Sequence, residues 1–76
     1  MVVEHDRVVL KRAIPESGLE AGDVGTVVHV YADREGFEVE FVALDGQTEV
    51  VTTVRASDVR SVRAHEMAHA RSLAVA

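Results

Sequence analysis

The chain has no cysteine and no tryptophan, and only one proline, one tyrosine and two phenylalanines among its 76 residues. Without cysteine there can be no disulfide framework, no thiolate metal site and no thiol nucleophile. So few aromatic rings make a poor groove of the kind that docks polyproline segments. No stretch approaches the roughly 18 apolar residues of a membrane helix. The charged opening Met1-Val2-Val3-Glu4-His5-Asp6 is unlike a secretory signal. These absences lead to the expectation of a cytoplasmic protein with no membrane partner. A domain of this size buries only about 60% of its unfolded surface, so the core is small and a deep enclosed active site is not expected.

What is present is ordinary for a globular chain: 47% hydrophobic and 28% charged residues. The net charge of -5 is unevenly spread. Residues 1–15 carry a net +1, residues 16–58 hold ten acids against Arg34 and Arg55 for a net -8, and the chain from Val59 onward carries +2. An acidic body repels phosphates, so nucleic acid is not the expected ligand and a basic protein partner is. The basic ends, with Arg7, Lys11, Arg12, Arg60 and Arg63, keep an RNA- or ribosome-associated role as the alternative.

Sixteen valines fall in short runs punctuated by Gly, Asp and Pro, which predicts a mainly β fold. Arg7–Lys11 reads as a first strand, followed by a loop through Pro15, Ser17-Gly18 and Gly22-Asp23, with Leu19 plugging the end of the core. The second strand runs through Val24-Gly25-Thr26-Val27-Val28-His29-Val30, where plain alternation puts Val24, Val28 and Val30 on one face and His29 on the other. Residues 32–36 form a hairpin loop, with Gly36 suited to a left-handed position. Phe37-Glu38-Val39-Glu40-Phe41 alternates without a break, Asp45-Gly46 turns the chain, and Thr48–Val54 forms a fourth strand. Ala56-Ser57-Asp58 reads as a single helical turn before a short fifth strand, Val59–Val62. Five short strands avoid exposed edges by closing into a small barrel, predicted over residues 1–62. Residues 63–76 are alanine-rich and free of Gly and Pro over Ala64–Ala74, which predicts a C-terminal helical extension of about three turns.

That extension contains His65-Glu66-Met67-Ala68-His69, the H-E-x-x-H pattern of zinc peptidases. On a helix the two imidazoles would share one face and grip a metal, with the glutamate beside a bound water. A third ligand is missing beyond His69, leaving His5, His29 or a carboxylate of the body as the only candidates, and no sheet edge is evident to hold a peptide. No metal or other cofactor is therefore expected, and any adventitious metal would sit on His65 and His69. No Ser, His and Asp arrangement has the strand-to-helix setting of a nucleophile elbow, Gly22-Asp23-Val24-Gly25 lacks the lysine and helix of a phosphate loop, and the chain is read as a non-enzyme.

Glu38 and Glu40 point outward from one strand, within reach of Thr48 or Glu49 across the hairpin, and Tyr31 stands at the barrel mouth. Tyr31, Glu38, Glu40 and Glu49 are the candidate contacts for a basic partner.

The series Leu19, Gly22-Asp23-Val24-Gly25-Thr26-Val27-Val28, Val30-Tyr31, Gly36, Val39-Glu40-Phe41, Asp45-Gly46, Thr48 and Ala56-Ser57-Asp58-Val59 resembles a family of short bacterial proteins catalogued as a domain of unknown function, over about residues 7 to 62. Its Gly-Asp-x-Gly-Thr-Val-Val element is also similar to the opening of SH3-like barrels, including ribosomal-protein and nitrile-hydratase types. The resemblance implies a five-stranded SH3-like barrel. Through members encoded beside toxins it implies an antitoxin- or immunity-like role, an inhibitor that covers a basic partner encoded nearby. The chain after Val62 departs from the family pattern. A monomer or a homodimer is expected.

Overall fold

Valine and threonine supply more than half of the strand residues, and phenylalanine completes the core face of the central strand. The computed structural model describes residues 1–73. Five antiparallel strands, β1 (Arg7–Leu10), β2 (Val24–Val30), β3 (Gly36–Val42), β4 (Thr48–Arg55) and β5 (Val59–Ser61), form one sheet in the order β4-β3-β2-β1-β5. Three-residue 3₁₀ turns at Pro15–Ser17 and Ala56–Asp58 punctuate the loops. The pleat of β3 sends Phe37, Val39 and Phe41 into the core, where they meet Val8 and Leu10 of β1, Val27 of β2, Val54 of β4 and Val59 of β5. Leu19 is buried with them, as expected, and Ile14 packs against the cluster from the same loop, bridged to Leu19 by backbone hydrogen bonds.

Plain alternation fails in β2. Its register against β3 shifts between Val27 and His29, so Val28 is a bulge residue. The inward positions are Gly25, Val27 and Val30, whereas Val24 and Val28 are exposed, and His29 does lie on the outer face opposite Glu38. The N-terminal segment caps the bulge: the His5 N–H donates to the Val27 carbonyl and the Val27 N–H to the Asp6 carbonyl. In the β2–β3 hairpin the left-handed position falls to Arg34, at φ 60, not to Gly36, which opens β3.

The expected closed barrel does not form. β5 pairs with β1, and β4 keeps a free edge, so the sheet is open. The single 3₁₀ turn at Ala56–Asp58 carries the chain from one edge of the sheet to the other without bringing β4 and β5 into a ladder. Loop residues Arg12–Ile14 and Glu16 instead stand opposite Thr52–Arg55 across a cleft of about 320 Å³.

The expected C-terminal helix is also absent among the described residues; its last part, residues 74–76, lies outside them. After Ser61 the chain makes a turn at Ala64-His65, where His65 has φ 66, a value incompatible with a right-handed helix. Met67 is 93% exposed, so it contributes no buried apolar contact that would stabilise so short a helix. The ends of the segment are pinned instead. Glu66 binds Arg60 and Arg71 binds Asp23, with irregular chain between them.

Gly25 sets the β2–β3 spacing over the core. A Cβ placed there would lie 2.5 Å from Val39 Cγ1 and 2.8 Å from Phe41 Cε1. Gly25→Ala is therefore expected to lower stability by about 1–3 kcal/mol through overpacking, seen as a lower denaturant midpoint with an unchanged m value. An unchanged midpoint would show that this contact does not set the spacing.

Candidate functional site

The face of the sheet turned away from the core is where polar chemistry collects. The ladder aligns His29, Glu38 and Thr53 across β2, β3 and β4, and Thr26, Glu40 and Val51 beside them. The Tyr31 hydroxyl donates to Glu38 Oε2 at 2.7 Å, and the Thr53 hydroxyl donates to the same oxygen. The Thr48 hydroxyl donates to Glu40 Oε2 at 2.8 Å. Among the described residues, no hydrogen bond reaches Oε1 of either carboxylate. The Tyr31 ring stands edge-on to His29, centroids 4.8 Å apart at 85°.

These hydroxyls reinforce the ionised form of Glu38. The Thr53 hydroxyl first, and then that of Tyr31, hold the Glu38 carboxyl below its ordinary pKa. The same hydrogen bond raises the Tyr31 phenol above its ordinary value. The face therefore carries an ionised carboxylate beside a neutral phenol at neutral pH. Val28, Val42 and Val51 frame it, exposed by 40%, 44% and 50%, so apolar surface and oriented carboxylates are interleaved.

Of the residues expected at a partner surface, Tyr31, Glu38 and Glu40 share this face. Glu49 lies at its border, at the start of β4 where the register against β3 shifts, and hydrogen-bonds to none of them. Thr53 and His29 complete the cluster without having been singled out as contacts. Counting outward equally from Asp45-Gly46 pairs Glu38 with Thr53, so Thr53 was within reach of the sequence. His29 was likewise within reach, since counting back from the 31–36 hairpin pairs it with Glu38 before the bulge at Val28 is met.

The metal-binding pattern loses its geometry. Without a helix, His65 and His69 do not occupy one helical face, and Glu66 is engaged by Nη1 and Nη2 of Arg60 and by the Arg63 N–H. Among the described residues no three His, Asp or Glu side chains group as a metal site. The basic patch is likewise partly neutralised. β1 and β5 do pair, placing Arg60 opposite Val9, but Arg60 is bonded to Glu66, and Arg12 faces Asp58 at 3.6 Å.

The tail adds a second feature. Arg71 reaches across 48 residues of sequence to Asp23, with Nε to Oδ1 at 2.9 Å and Nη2 to Oδ2 at 2.5 Å, and also meets the Gly18 carbonyl and Glu20. The two anchors, Arg60 on β5 and Asp23 beside β2, lie at the ends of the cross-strand row Arg60, Val9, Val24. Val9 alternates away from the core cluster yet is only 7% exposed, in keeping with the tail passing over it. No composition signal pairs Arg71 with Asp23, because the tail has no period.

Arg60 first, and then the Arg63 N–H, depress the Glu66 carboxyl from 4.5 to about 2, and Arg71 lowers that of Asp23. Because the folded values lie below the unfolded ones, the pinned tail is fully stabilised above pH 4.5 and loses that contribution as pH falls toward about 2. Amide relaxation of residues 62–73 should show ps–ns mobility appearing over that window while β1–β5 stay rigid. In Glu66→Gln the mobility near residues 62–66 should already be present at neutral pH.

No helix among the described residues is long and apolar enough to cross a membrane. No curated protein and no solved structure matches the chain. A family model does match, over residues 4–61, which includes all five strands and the whole carboxylate face and stops short of the pinned tail. The chain thus belongs to the family described as Domain of unknown function (DUF4926).

Proposed function

We propose that this chain is a non-enzymatic protein-interaction module that docks a basic protein on the outer face of β2, β3 and β4. The carrying observation is the pair of carboxylates fixed by hydroxyls, Glu38 by Thr53 and Tyr31 and Glu40 by Thr48. Each keeps an oxygen for a lysine or arginine of the partner, and holding the side chains in place beforehand lowers the entropy lost on binding. The half-exposed valines around them supply the apolar area that charges alone do not. The site is an open sheet face, suited to covering a surface. The net -8 over residues 16–58 steers a basic partner toward it.

The most specific form of this reading is an antitoxin- or immunity-like inhibitor, which acts by laying acidic side chains over a basic active site. The strand order, a four-strand meander with the last strand beside the first, supports an SH3-like origin with the barrel left open.

The test is co-expression with the protein encoded by the adjacent gene, followed by size exclusion and assay of that neighbour. A stoichiometric complex is expected, weakened about tenfold for each carboxylate in Glu38→Lys/Glu40→Lys and progressively by added salt. Thr53→Val, which frees Glu38 without removing its charge, should weaken it less. Retention of the complex by the double lysine variant would overturn the acidic face as the contact, and absence of any complex would remove the antitoxin-like reading.

A further inference from the structure

The longest strand is also an edge strand. β4, Thr48-Glu49-Val50-Val51-Thr52-Thr53-Val54-Arg55, has β3 on one side only, and among the described residues no backbone group of Glu49–Val54 finds a backbone partner elsewhere. Natural sheets guard such an edge with lysine, proline or inward charges. β4 has none of these between its ends, and its centre is an unbroken run of Val and Thr.

The placement of its charges is self-complementary. Antiparallel pairing of β4 with a second β4 about Thr52 sets Glu49 opposite Arg55 of the second copy, and by the two-fold sets Arg55 opposite the second copy's Glu49. The same register pairs Val50 with Val54 on the core side and Val51 with Thr53 on the outer side. Neither Glu49 nor Arg55 takes part in an ion pair among the described residues. Any shift of register breaks both charge pairs, which gives the alignment its specificity.

The space beside the edge suits the same occupant. The cleft along Thr52–Arg55 lies where the N-terminal half of the second strand would run. Its far wall holds Arg12, whose side chain is 76% exposed and only loosely paired with Asp58, so the incoming Glu49 meets two cations; Glu16 and Asp58 also line this wall. We propose that the chain forms a two-fold dimer through antiparallel β4–β4 pairing centred on Thr52, with reciprocal Glu49–Arg55 contacts. The assembly closes on itself, because the remaining edge, β5, is only three residues long and is followed by the tail turning back onto Arg60. This rests on the edge and not on the acidic face, and it places both copies' acidic faces on the same side of one continuous sheet.

Sedimentation equilibrium from about 1 µM to about 1 mM tests it. The parent chain is expected to approach twice its 8.2 kDa mass with rising concentration. Glu49→Arg and Arg55→Glu each set like charges opposite one another twice, and each should weaken the dimer about tenfold or more. An equimolar mixture of the two variants restores both opposite-charge pairs, so it should recover the parent affinity. Both sites are exposed, and circular dichroism checks that the variants keep the fold. A parent chain that stays at the single mass throughout would overturn the proposal, as would a dimer that neither variant weakens, or one that the mixture fails to rescue.

Discussion

The pleat of β3 constrains everything else. A strand has two faces and its residues must take them in turn, so Phe37, Val39 and Phe41 cannot enter the core without Glu38 and Glu40 being presented on the other side. Core and candidate surface are therefore one decision. The neighbours follow from it: β2 approaches closely because Gly25 leaves room over Val39 and Phe41, and β4 brings Thr53 and Thr48 to the carboxylates because its register is locked by Val54 and Val50 on the buried side. Two glutamates on a bare strand would be mobile and fully hydrated. Here each is held by a hydroxyl from an adjacent element.

The strands were largely legible because period-2 patterns carry their own evidence. Phe37–Phe41 shows both faces in its five residues, and Asp45-Gly46 gives the pivot from which the β3–β4 pairing can be counted. The same pivot made the carboxylate face and its threonine donors readable, while the Tyr31 hydroxyl bond to Glu38 has no mark in the local pattern. Plain alternation misplaced Val24 and Val28, because a bulge leaves no mark in a run where five of seven residues are valine or threonine. The free edge of β4 was illegible for a different reason. Whether the last strand pairs with the first, the fourth or both depends on how the Ala56–Asp58 turn is aimed, which is a tertiary matter.

The tail shows propensity losing to charge. Ala64–Ala74 has the composition of a helix, yet among its described residues Met67 is left exposed, and the intrinsic preference of a few alanines amounts to only tenths of a kcal/mol per residue. Two arginine–carboxylate contacts, each with two N–H groups on two oxygens, tie the chain to β5 and to Asp23 instead. Those contacts join positions 6 and 48 residues apart. The longer one has no counterpart in local pattern.

This cross-strand route gives the molecule a mechanical polarity. A pull applied beyond Arg71 is carried first by the Arg71–Asp23 contact and then by Arg60–Glu66, both lying across the strands, before any of it reaches the ladder between β1 and β5. Both links are side-chain contacts outside the strand ladder, so either can open while the strand pairing itself stays in place. At the other end the backbone itself takes up the load within a few residues. The N-terminal segment is bonded directly into the sheet through His5 and Val27, and into the hairpin tip through Arg34 Nη2 and the Val2 carbonyl at 2.8 Å, so load entering there passes straight into β2.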